Sequence, residues 1–154
     1  MDYQIQIRRA IAEDAVGISR VIIAALRQTN AADYDAATIA RVEQSFSEAA
    51  VAELLGRRLI FVAIDHDDVV ATASLENDVV RSVFVAPGFQ RMSIGERLML
   101  AVENEALTRG SLQLRVPSSI TAQGFYTRLG YRKVRDEFHG DERTIIMEKR
   151  LMQP

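Results

Sequence analysis

The chain has no cysteine, no tryptophan, two histidines and three prolines among its 154 residues. Without cysteine there is no disulfide, no thiolate zinc site, no iron–sulfur cluster and no cysteine nucleophile. The two histidines, His66 and His139, are far apart in sequence, which argues against a His-rich metal site. The absence of tryptophan leaves little room for an aromatic base-stacking platform. Neither charge sign is in excess. Nineteen Lys and Arg against 21 Asp and Glu give a net charge of −2, not the basic footprint of a general nucleic-acid binder. No apolar run approaches the ~20 residues of a membrane span. The start, Met1-Asp2-Tyr3-Gln4, lacks the basic region and apolar core of a secretory signal. The expectation is a soluble, cytoplasmic protein with no metal and neither nucleic acid nor membrane as partner.

What is present is ordinary globular usage, with 48% hydrophobic and 26% charged residues. At roughly 100–200 residues per domain, residues 1–154 make one domain. A chain of this size buries about two-thirds of its unfolded surface.

Apolar periodicity organises the chain. Gln4 to Arg8 alternates around Ile5 and Ile7 and predicts a short strand. Ile18, Val21, Ile22, Ala25 and Leu26 follow helical spacing, with Asp14 in the expected first turn. Ile39 and Val42 suggest a second, weaker helix. Ser45 and Glu48 fit a capping box before Val51, Leu54 and Leu55. Leu59 to Ile64 is continuously apolar, as in a strand covered on both faces. Val69 to Leu75 and Val79 to Val85 follow as strands around Glu76-Asn77-Asp78. A helix with Ile94, Leu98, Ala101, Val102 and Ala106 on its buried stripe closes at Gly110. Leu112, Leu114 and Val116 make a strand. Ser118 or Ser119 caps a helix through Phe125 and Tyr126 that closes at Gly130. Tyr131 to Asp136 and Thr144 to Lys149 are the last strands. The order predicts an α/β (α+β) domain with a mixed sheet.

The segment from Val83 to Leu98 carries the chemistry. A buried strand runs through a short turn into a helix start, where unpaired N–H groups and partial positive charge face outward. Such backbone cradles phosphates where a glycine such as Gly95 permits close approach, and Arg91 adds charge nearby. The bland reading is a strand-to-helix turn that contains a glycine.

Gln90-Arg91-Met92-Ser93-Ile94-Gly95 resembles the acyl-CoA-binding motif of the GNAT superfamily of acetyl-CoA-dependent N-acetyltransferases. That motif runs Gln or Arg, two residues, Gly, one residue, then Gly or Ala; Ser93 stands where its central Gly is usual. Val83 to Pro87 resembles the preceding strand and its exit. Downstream, Ala122-Gln123-Gly124-Phe125-Tyr126-Thr127-Arg128-Leu129-Gly130-Tyr131 resembles the family's second motif. Ser119 stands where many members carry a cofactor-binding Asn. Ile145 to Lys149 resembles the last strand. The resemblance covers essentially the whole chain and implies a single-domain GNAT-like fold with a mostly antiparallel sheet flanked by helices.

It also implies acetyl transfer from acetyl-CoA to a primary amine of a small molecule or peptide, by direct attack on the thioester. The N–H groups of Arg91, Met92, Ser93, Ile94 and Gly95, in a turn running from Gln90 to Glu96, would face the pyrophosphate. Val83 and Val85 would pair with the pantetheine arm, with Phe84 between them and an oxyanion donor near Val85. Ser119, Ala122, Phe125 and Arg128 complete the expected cofactor set. Tyr126 is the expected general acid; without the resemblance it reads as a packed aromatic. A free tyrosine near ~10 protonates a thiolate near ~8.5 at a cost of about 2 kcal/mol. Glu76 or Asp78 is placed to act as general base, Glu76 being the residue chosen, although Glu76-Asn77-Asp78 is equally an ordinary polar turn. Where relatives often place an acid further into this strand, the chain has Val79 and Val80, so solvent would otherwise take the proton. Asp65, Asp67 and Asp68 read as a turn rather than a cation site. The acceptor pocket is expected from the first helices, the segment from Thr29 to Thr38 with Asn30, Asp33, Tyr34 and Asp35, and the strands ending at Glu76 and Asp136. Two other classes compete: a non-catalytic acyl-CoA-binding sensor or regulatory module, and a purely structural domain. Fold analogy alone is compatible with a homodimer.

Overall fold

Strand-forming runs rich in Val and Ile alternate with helix-forming stretches, and a computed structural model shows how they assemble. It describes residues 4–28, 35–140 and 142–151. In chain order these form β1 (Gln6–Arg9), α1 (Ala15–Gln28), α2 (Ala36–Gln44), α3 (Glu48–Leu55), β2 (Leu59–Asp65), β3 (Asp68–Glu76) and β4 (Val79–Val85). There follow α4 (Ile94–Thr108), β5 (Gln113–Ser118), α5 (Gln123–Arg128), β6 (Arg132–His139) and β7 (Glu142–Arg150). Short 3-10 turns occupy Ala12–Asp14 and Pro87–Phe89.

The strands make one seven-stranded sheet in the order β1-β2-β3-β4-β5-β7-β6. Its pairs are antiparallel except β4 with β5, which run parallel. This is the mixed, mostly antiparallel sheet that the sequence predicts. Each face has its own core, because alternate side chains of a strand point to opposite faces. On one face Leu98, Met99 and Val102 of α4 pack with Ala71, Ala73, Val80, Leu114, Val116, Ile145 and Met147. On the other, Ile18, Ile22 and Leu26 of α1 and Val51 and Leu54 of α3 cover Ile60, Val62 and Ile64. The uninterrupted apolar run of β2 is thus explained: its successive residues serve both cores. Gly17 brings α1 down onto the sheet, since a Cβ there would lie 2.8 Å from Val69 Cγ2.

Three local expectations change. Ser47, not Ser45, caps α3, accepting from Ala50 N at 3.2 Å. Ser45 instead ends α2, because that helix runs through Gln44 and leaves only Phe46 and Ser47 to make the turn. Asp14 lies in the 3-10 turn before α1 and accepts from both Arg8 guanidinium nitrogens, at 2.7 and 3.1 Å, and from Ile11 N at 2.8 Å. It ties β1 to the start of α1 rather than serving the helix dipole alone. The last two strands are longer than predicted, reaching His139 and starting at Glu142, because their cross-strand pairing continues to the hairpin tip.

A buried polar cluster lies on the α4 face. Glu103 accepts from the Tyr131 hydroxyl at 2.9 Å and from Lys149 Nζ at 3.0 Å. Lys149 also lies over the Tyr131 ring.

Candidate active site

Parallel strands need long crossovers, and here α4 provides one between β4 and β5. Those two strands touch at a single register pair, Val79 with Arg115, reinforced by Arg115 N donating to Asp78 O at 2.9 Å. Beyond that point they diverge. A cavity of about 530 Å³ fills the opening and is lined by residues from both faces of the sheet. From the α4 face come Val80, Val83, Val85, Ile94, Gly95, Phe125 and Tyr126; from the α1 face come Ala25, Leu26, Ile39, Val42 and Phe84. The opening therefore passes through the sheet.

The divergence is accompanied by a bulge. Along β3, Thr72 to Ser74 is a step of two, while their partners Phe84 and Arg81 are three apart. The extra residue coincides with Ser82, whose φ is +54°. Ser82 Oγ accepts from Arg58 at 3.1 Å, and the same guanidinium donates to Glu76 at 3.2 Å, which braces the bulge from the loop after α3. Past the bulge, Ala86 N donates to Val70 O of β3 at 2.8 Å. Alternation along an antiparallel strand then turns the N–H and C=O of Val83 and Val85 away from β3, into the opening. These are strand groups with no strand to pair with.

At the near end of the opening the chain turns into α4. The first helical hydrogen bond is Arg97 N to Ser93 O, and no side chain caps the helix. The N–H groups of residues 91 to 96 find no acceptor among the described residues. Arg91 and Ser93 hold φ values of +63° and +62°. That left-handed backbone explains why a glycine suits the place of Ser93, since a Cβ there costs energy. Gly95 serves close packing: a Cβ on it would lie 3.1 Å from Phe125 Cζ and 3.7 Å from Val85 Cγ2.

The facing wall is α5. Ser119 Oγ accepts from Ala122 N at 3.1 Å and so starts the helix. Tyr126 is 5% exposed and wedged between Phe125 and Tyr131, with ring centroids 5.1 and 5.7 Å away. Burial pushes its phenol well above the ordinary tyrosine range, and among the described residues no hydrogen bond offsets this. Arg128 and Arg91 bring positive charge to the same cavity, and Glu96 a negative one.

Nearly all residues singled out from the sequence for the cofactor line this cavity: Val83, Phe84, Val85, Gln90, Arg91, Ser93, Ile94, Gly95, Glu96, Ser119, Ala122, Phe125, Tyr126 and Arg128. Met92 does not; it packs on the α4 core. Phe84 lies on the opposite face from Val83 and Val85, edge-on to Phe46 at 6.1 Å. Glu76 is outside the lining and is paired with Arg58 at 3.2 Å and Arg81 at 3.8 Å. Asp78 accepts from Ser111 Oγ at 2.6 Å, and Asp136 is held by Arg143 and Lys133. Of the acceptor segment, Asp35 caps α2 through Thr38 N at 2.7 Å. Asn30, Asp33 and Tyr34 lie outside the described residues. Sequence reasoning missed Ser82, Arg58 and Glu142, the last of which lines the cavity from the start of β7. Arg81-Ser82 interrupting the apolar run of β4 is the one signal that pointed to a bulge. Among the described residues no helix is long and apolar enough to cross a membrane, and no group of three or more His, Asp or Glu could hold a metal ion.

Known proteins share this architecture. A GCN5-related N-acetyltransferase of Rhodopseudomonas palustris superposes with a TM-score of 0.88 at 26% identity, over 98% of this chain and 99% of that one. The PaiA N-acetyltransferase of Thermoplasma acidophilum, solved with coenzyme A, gives 0.83 at 20% identity, over 96% and 99%. An aminoglycoside 6′-N-acetyltransferase complexed with coenzyme A gives 0.70 at 17%, over 97% and 98%. No curated protein matches the chain. The family model of the acetyltransferase (GNAT) domain matches residues 17–151. With that model spanning nearly all of it, the chain belongs to the GNAT family of acetyltransferases.

Proposed function

We propose that the enzyme transfers the acetyl group of acetyl-CoA to a primary amine by direct attack on the thioester. The observation that carries this reading is the opening between β4 and β5, with strand backbone that no strand pairs on one side, where Val85 O meets only Gln90 Nε2 at 3.5 Å, and Tyr126 on the other. The pyrophosphate suits the N–H groups of residues 91 to 96, flanked by Arg91 and Arg128. The pantetheine amides suit the Val83 and Val85 backbone, as a peptide suits a free strand edge. This local arrangement accommodates an anionic co-substrate on a chain of net charge −2.

The neutral amine enters from the α1 face and attacks the thioester carbonyl carbon. The carbonyl oxygen becomes negative and the Val85 N–H donates to it; losing such a donor costs ~2.7–4 kcal/mol. The C–S bond breaks, the sulfur takes a proton from the Tyr126 hydroxyl, and the nitrogen loses one to water. Burial makes Tyr126 a weaker acid, but it destabilises the departing thiolate in the same direction, so the exchange between them is little changed.

Incubation with acetyl-CoA and a panel of primary amines, followed by free thiol, tests the reading. Amine-dependent thiol release with a matching N-acetyl product is expected; coenzyme A binding without release across the panel would refute it. Ser93→Gly removes a left-handed penalty of roughly 1–2 kcal/mol, partly offset by the greater freedom of unfolded glycine. The variant is expected to be up to about 1 kcal/mol more stable in urea and to bind coenzyme A more tightly, because a Cβ leaves the cradle. Weaker binding by calorimetry would instead identify the Ser93 hydroxyl as a phosphate donor.

A further inference from the structure

The α1 side of the cavity is apolar almost throughout. Ala25, Leu26, Ile39, Val42 and Phe84 form its walls. Among the described lining residues on that side Thr38, Ser82 and Glu142 are polar, with Thr121 beyond the end of β5 across from Glu142, and the Ser82 hydroxyl is already engaged by Arg58. The face follows from alternation: Ile145 and Met147 of β7 belong to the α4 core, so Glu142 points the other way. Its carboxylate has no hydrogen-bond or ion-pair partner among the described residues. Glu142 is half-buried on the rim of the same cavity and offers its carboxylate to a cation there.

The register locates Glu142 relative to the chemistry. Val79 pairs with Arg115, and Ser118 pairs with Ile145. Counting along both pairings brings Glu142 about level with Val85, but two strands away and, because β4 and β5 diverge past Val79, farther than the roughly 10 Å of two paired spacings before side chains extend. A nitrogen attacking beside Val85 is thus out of its immediate reach. Proximity would also be counterproductive, since a carboxylate holds an ammonium in its protonated, unreactive form.

The geometry points to an acceptor with two positive groups on a hydrocarbon spacer, one reacting near Val85 and the other held by Glu142. Resting on the amine-acetylation reading, this names its substrate class: a short aliphatic diamine rather than a monoamine or a peptide. The apolar walls take the methylenes, and Glu142 supplies the charge that selects the second ammonium. It is a specificity residue and touches no reacting atom.

The test compares 1,4-diaminobutane with butylamine, which has the same four-carbon chain, on wild type and on Glu142→Gln. For wild type, kcat/KM is expected to be at least ~10-fold higher for the diamine. Glu142→Gln should erase that preference through KM while leaving butylamine turnover and coenzyme A affinity within about twofold. Equal use of the two amines, or a preference that survives Glu142→Gln, overturns the assignment. If no amine is acetylated, calorimetry of 1,4-diaminobutane against the coenzyme A-bound protein still decides. Binding by wild type and not by Glu142→Gln supports the cation site while refuting the transfer reading; no binding, or equal binding, overturns the site.

Discussion

Tyr126→Phe is expected to lower kcat by ~10²–10⁴, the range for loss of a positioned general acid. The substitution removes one oxygen and keeps the ring. Its edge contacts with Phe125 at 5.1 Å and Tyr131 at 5.7 Å need only that ring, so packing survives. The hydroxyl makes no hydrogen bond among the described residues, and its removal should change the urea midpoint little. Coenzyme A affinity, set elsewhere by backbone, should stay within a few-fold. The pH profile gives a separate check. Because burial raises the phenol pKa, Tyr126 stays protonated through the alkaline range where a free tyrosine, near ~10, would begin to ionise. Wild-type kcat/KM should therefore climb as the acceptor amine loses its proton, without a falling limb from Tyr126 below pH ~10. Undiminished turnover in Tyr126→Phe would remove the residue from the reaction.

Glu103→Ala is expected to destabilise the fold by about 2–4 kcal/mol while removing no residue of the cavity lining. Glu103 holds two partners, and its loss leaves each in a different position. The Tyr131 hydroxyl, on a residue only 2% exposed, is stranded as a buried donor, at a cost of about 1–3 kcal/mol. The Lys149 side chain is 27% exposed and its ammonium can turn to water, so it adds less. Glu103→Gln keeps an acceptor for Tyr131 and should cost less than half as much. Urea denaturation of both variants would measure this, and near-equal losses would show that charge rather than the tyrosine hydroxyl dominates. Glu103 lies outside the cavity lining and reaches the site only through Tyr131, whose ring packs on Tyr126 at 5.7 Å, so activity in the cold should fall only a few-fold.

Much of this architecture was legible in the sequence because burial imposes periodicity. The doubly apolar β2, the α4 stripe and the Gln90–Gly95 and Ala122–Tyr131 motifs all reported themselves. The errors have physical causes. Ser45 and Ser47 are both plausible caps, and only the length of α2 decides between them. Glu76 looked free at a turn because its partner, Arg58, is 18 residues away in sequence. Long-range ion pairs leave no local trace. Glu142 escaped notice for the same reason in reverse. Its relation to the cavity arises from strand order, with β7 inserted between β5 and β6.

That strand order has a mechanical side. The backbone ladder joining β1–β4 to β5–β7–β6 is a single rung, at Val79 and Arg115. On the proposed reading, the pantetheine arm lies along the remaining edge and supplies the missing rungs, so the co-substrate completes the sheet that binds it. Each turnover would then splice and unsplice the ladder, and the two halves would share their stability only while the arm is in place. The enzyme's most cohesive state would be its loaded one.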